Sequence, residues 1–128
     1  MGHGRIIDAH SGAVLADDVR WADSFGSRLR GLVGTAELEA RQAIVLPGVS
    51  QIHTIGMTFP IDALFCDASW EIHHMVRVMR PWRISRYVRS SYVIELRASA
   101  ATTLNLGDVL VYQEDQEDQV NERYAPSK

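Results

Sequence analysis

The sequence predicts a mainly β domain, a small barrel- or sandwich-like antiparallel fold of six to eight strands with one or two short helices. Three observations lead there. Short apolar runs of strand length, several rich in β-branched residues, recur along 128 residues, among them Ala43-Ile44-Val45-Leu46, Ile61 to Cys66, Tyr92 to Leu96 and Val109 to Tyr112. Gly, Pro, Asp and Ser cluster between these runs and supply the turns. Apolar residues make up 46% of the chain and charged residues 23%, values of an ordinary globular domain that can bury its own core.

Arg5 to Asp8 and Val14-Leu15 flank Ala9-His10-Ser11-Gly12, which predicts a hairpin continuing toward Trp21. Asp23 or Ser24 can cap a helix over 24–31, with Phe25, Leu29 and Leu32 at helical spacing and Gly31 near its end. A strand stops at Pro47-Gly48, and Asp67-Ala68-Ser69 turns the Ile61–Cys66 strand back into 71–79, whose imperfect alternation also admits a helix but for which a hairpin strand is the shorter connection. Trp82 to Ser91 is expected to be a loop, and Ala98 to Leu106 a short helix or turn. The fold is thus placed in residues 1–112. Residues 113–128 form an acidic tail of disordered composition, with Glu114, Asp115, Glu117, Asp118 and Glu122 against Arg123 and Lys128.

Charge and composition exclude several classes of function. The tail carries −3 (five acids, two bases), which equals the net charge of the whole chain, so the body is neutral with eleven acids and eleven bases. A neutral body lacks the field that nucleic-acid binders use to collect phosphates. No apolar run approaches the ~20 residues of a membrane helix, and the N-terminus has no apolar core of a secretory signal. A soluble chain is expected; an export signal removed beforehand, and hence the compartment, stays open. Cys66 is the only cysteine, which excludes an internal disulfide and any multi-cysteine zinc site.

The string Ile52-His53-Thr54-Ile55-Gly56-Met57-Thr58-Phe59-Pro60-Ile61-Asp62-Ala63-Leu64-Phe65-Cys66-Asp67 resembles the signature of the family called domain of unknown function 192. Arg30 to Gly34, Pro81-Trp82-Arg83, Val93 to Leu96 and Gly107-Asp108 follow in the expected order, so the resemblance covers about residues 20 to 112. Ser69-Trp70 and Arg97-Ala98-Ser99 depart from the family's usual turn glycine and Pro-Ala-Gly. The resemblance implies a compact β-rich fold and assigns no catalytic residue.

Candidate chemistry is therefore read from the residues. His53 and Asp62 are the catalytic candidates, since a carboxylate-oriented imidazole is a common general base, with Thr54 or Cys66 as nucleophile. Against that stands a bracing role, in which Asp62 and His53 accept backbone hydrogen bonds in loop 49–60. His53 and Met57 form a soft pair suited to copper, but two ligands make no site, and His73 and His74 point to opposite faces of a strand. No metal and no cofactor is expected.

Arg77, Arg80, Arg83, Arg86 and Arg89 recur every third residue beside Trp82 and Tyr87. That step alternates faces on a strand, and Pro81 forbids a continuous helix, so pairing with local acids and stacking on Trp82 is expected. An anionic ligand is the other reading where two arginines converge. The leading function is a non-enzymatic ligand- or partner-binding accessory module, with His53, Thr54, Met57, Trp82 and Arg83 forming the surface for a small ligand or a protein. The alternative is a hydrolase-like enzyme using His53 and Asp62. Oligomeric state is not encoded in these patterns.

Overall fold

In a computed structural model, which describes residues 4–22 and 38–114, the predicted β runs become eight strands. They are β1 (Gly4–Asp8), β2 (Val14–Ala16), β3 (Asp18–Trp21), β4 (Gln42–Pro47), β5 (Ile61–Cys66), β6 (Ile72–Met79), β7 (Tyr92–Arg97) and β8 (Leu110–Glu114). The order β2-β1-β8 forms one sheet and β3-β4-β7-β5-β6 the other. The two sheets pack as a sandwich and do not close into a barrel.

Every pairing is antiparallel except β3 with β4, which run parallel with Asp18 opposite Gln42. A parallel pair needs a long crossover, here residues 22–41, where an antiparallel pair needs only a tight turn. The hairpin β1–β2 turns at Gly12, whose φ of 78° suits a residue without a Cβ.

Alternation along the central strands sends side chains into two apolar layers. Leu64 and Cys66 of β5 and Ile94 and Leu96 of β7 meet Ile6, Ala16 and Leu110 of the smaller sheet. Ala63 and Phe65 of β5, Val93 of β7 and Leu46 of β4 face the other way, where Ile52, Met57 and Phe59 of the 48–60 loop cover them. All six residues of β5 are buried, which accounts for its nearly unbroken apolar sequence.

The described residues contain no helix. The one expected over 24–31, with Gly31, lies outside them, and Ala98 to Leu106 takes the turn option rather than the helical one. Ser99 in that segment sits at a φ of 75°, which no right-handed helix allows. Strand β8 runs two residues past Tyr112, because Gln113 and Glu114 pair with Arg5 and Gly4. The rest of the expected tail lies outside the described residues. No described helix is long and apolar enough to cross a membrane.

Candidate functional site: a basic groove beside the edge strand

The 52–60 loop is pinned to the 80–86 segment chiefly by Thr54. This threonine is fully buried. Its hydroxyl donates to the Arg80 carbonyl at 2.6 Å and accepts from the Arg83 amide at 2.9 Å. The Thr54 backbone accepts from the Trp82 amide at 2.9 Å and donates to the Arg83 carbonyl at 2.8 Å. Ser85 continues the pairing, its amide donating to the Ile52 carbonyl at 2.9 Å and its hydroxyl accepting the Ile52 amide at 3.0 Å. Thr54 is thereby a hinge pin with no hydroxyl proton to spare for attack.

The other candidate residues lie apart. Asp62 is 1% exposed, and its oxygens accept the Val78 amide at 2.8 Å and the Ala101 amide at 2.9 Å. It braces β6 and the 98–104 turns rather than the 49–60 loop anticipated from sequence. His53 forms an isolated bridge with Ile84, and its Nδ1 accepts the Ile55 amide at 3.1 Å. No hydrogen bond joins Asp62 to His53. Met57 is a core residue, 1% exposed. Burial, then the charge of Asp67, pushes the Cys66 thiol up to about 12, so it carries no thiolate at neutral pH.

Val78 accounts for Asp62's position. Ala63 pairs with Val76 and Ile61 with Met79, so Arg77 and Val78 together stand opposite Asp62 in a β-bulge. Val78 takes a φ of 52°, an unusual conformation for a β-branched residue. Arg77, beside it in the bulge, donates to the carbonyls of Ala101 and, at 2.7 Å, Leu104.

Past the bulge the chain reverses at Pro81-Trp82, with Trp82 at a φ of 62°. The reversal brings residues from both of its arms around one groove of about 600 Å³. Strand β6 contributes His74, Val76 and Val78, and Arg80, Arg83, Ile84 and Arg86 come from the turn and the segment after it. Among the described residues, none of these three arginines meets a carboxylate, so the expected local ion pairs are not made. Among the described residues the guanidinium of Arg83 reaches only the carbonyls of Trp82 and Pro81, at 3.4 and 3.5 Å, and the expected stacking of it on Trp82 is not among the ring contacts. A step of three separates faces only along one straight element; the reversal between Arg80 and Arg83 breaks that element, and the three arginines line one groove.

The two adjacent histidines separate as alternation requires. His73 is exposed and bonds to Asp67 at 3.0 Å. His74 packs on the Phe65 ring with centroids 5.3 Å apart, and burial, then the positive charge of Arg86, holds its imidazole below the ordinary histidine range. Among the described residues no cluster of three His, Cys, Asp or Glu side chains is placed to hold a metal. Glu95, fully buried in β7, is a carboxylate that strand patterning did not single out.

These features define a small two-sheet β domain with a basic groove at the edge of its larger sheet. The chain belongs to the domain of unknown function 192 family, described as an uncharacterized ACR, whose model matches residues 6–111. It is 31% identical over 121 residues to a UPF0127 protein of Thermococcus sibiricus, covering 88% of this chain and 77% of that one. Two crystal structures share the fold. A Sinorhizobium meliloti protein described as a candidate transcription regulator has a TM-score of 0.69 at 22% identity, covering 85% of this chain and 91% of its own. A Novosphingobium aromaticivorans protein of unknown function also reaches 0.69, at 15% identity over 84% of this chain and 82% of its own.

Proposed function

We propose that this domain is a non-enzymatic binding module whose ligand or partner presents an anionic group to the groove beside β6. The observation that carries this reading is the convergence of Arg80, Arg83 and Arg86 around one groove with, among the described residues, no carboxylate beside them. Guanidinium groups held close together repel one another, and a carboxylate or phosphate relieves that repulsion through charge-assisted hydrogen bonds. Apolar Val78 and Ile84, 45% and 65% exposed, give the same surface a part that gains from being covered. Trp82, 64% exposed, stands at the tip of the reversal next to it. Neither Thr54 nor Asp62 has the freedom that a nucleophile or an orienting carboxylate needs.

The test is a citrate titration of isotope-labelled protein followed by amide shifts. Saturable shifts are expected at Arg83 to Arg86 and at His74, weakened roughly tenfold by Arg83→Gln together with Arg86→Gln, and weakened again by salt. Equal affinity in the double variant would overturn the reading.

A further inference from the structure

Resting on that reading, we infer that the occupant of the groove is an extended acidic segment of a partner protein, paired along residues 83–86. One wall is formed by His74 and Val76, at alternate positions of an edge strand, and by Val78 in its bulge, a span of at most about 13 Å at ~3.3 Å per residue. That length suits several residues of extended chain and exceeds any single compact anion.

The opposite wall supplies main-chain groups. Residues 83–85 pair with 52–54 on one side only, through the amide of Thr54 to Arg83 and the amide of Ser85 to Ile52. In an antiparallel pairing of this kind the peptide groups of the intervening residue, Ile84, point the other way. Among the described residues neither the Ile84 amide nor its carbonyl meets a partner. A single bridge with an open far side is a template for one more strand, the mode in which main-chain bonds provide affinity and alternate side chains provide specificity.

Charge selects which segment fits. Arg80, Arg83 and Arg86 line the groove together with Val76, Val78 and Ile84, and among the described residues no acid lines it. A segment alternating carboxylates with β-branched residues meets both sets. An inorganic anion would engage the arginines alone and leave Ile84 and the valines in water.

Three probes separate this inference from the broader one: citrate, the acetylated and amidated peptide Glu-Val-Glu-Val-Glu, and the same peptide N-methylated at both valines. Binding is read by calorimetry at low salt, with Arg20→Gln on exposed β3 as the charge control and thermal melts confirming that each variant folds. The peptide is expected to bind on the order of tenfold more tightly than citrate, and to lose roughly that factor both on N-methylation and in Arg83→Glu. If citrate and both peptides bind alike, the strand-pairing inference falls while the anion groove stands. If nothing binds, both fall.

Discussion

The Asp62 carboxylate accepts the Val78 amide at 2.8 Å inside a bulge where Val78 holds a φ of 52°. Its second oxygen accepts the Ala101 amide, and Arg77, one residue before Val78, donates to the carbonyl of the same Ala101. Acid and base thus grip one residue of the 98–104 turns from both sides. The bulge is what aims Val78 and the chain beyond it at the groove.

Replacing Asp62 by alanine is expected to destabilise the protein by about 1 to 3 kcal/mol for each amide it strands. Urea denaturation gives the answer, and an unchanged midpoint and slope would show that Asp62 is not a brace. The converse change is Val78→Gly, which removes a β-branched side chain from left-handed backbone. It should raise stability by roughly 0.5 to 1 kcal/mol in the same assay, the strain relieved being partly offset by the greater freedom of glycine when unfolded.

Thr54→Val preserves volume and removes both hydroxyl bonds to the 80–83 reversal. A loss of about 1 to 3 kcal/mol is expected, since the Arg83 amide loses the acceptor that Thr54 supplies. Hydrogen exchange should quicken at Trp82 and Arg83 while strands β5 and β7 keep their protection. Uniform loosening of the whole domain would mean that Thr54 is no local pin.

The pH dependence follows from His74. Its folded pKa lies below the ordinary 6.5, so the unfolded chain takes up the proton more readily. Stability is therefore unaffected by this group well above pH 6.5 and falls as pH drops from there toward the folded pKa. His74→Gln should flatten that part of a melting-temperature profile, the comparison cancelling Asp67 and other acids. Proton NMR of the imidazole should give a midpoint below 6.5 that moves upward when an anion occupies the groove. A midpoint at or above 6.5 in the free protein would remove the effect.

Local chemistry settled much of this molecule. The largely apolar run 61–66, bounded by Pro60 and the Asp67-Ala68-Ser69 turn, reads as a buried strand, because six consecutive residues with one charge leave no face for water. Gly56, at a φ of 88°, occupies the third position of the turn from Thr54 to Met57, whose ends bond at 3.2 Å, and a glycine between loop residues suggests such a turn. Asp67-Ala68-Ser69 turned the chain as its side chains imply, the Asp67 carboxylate accepting the Ser69 amide at 2.8 Å. The family string beginning at Ile52 was likewise legible in order and spacing.

What residues 80 to 86 do was not. Spacing along a sequence reports faces only while the element runs straight, and this one reverses because Thr54, 26 positions before Arg80, holds its two ends together. The partners of Asp62 were hidden for the same reason, since Val78 and Ala101 become its neighbours through strand register and a turn packed 39 residues away. The sequence by itself determined which segments are strands and where they turn, because those outcomes depend on alternation, branching at Cβ and glycine. Only the tertiary structure decided which polar groups face each other: that Asp62 is a brace, that the arginines share a groove, and that β3 lies parallel to β4. Those facts are properties of long-range pairing, and no local pattern encodes them.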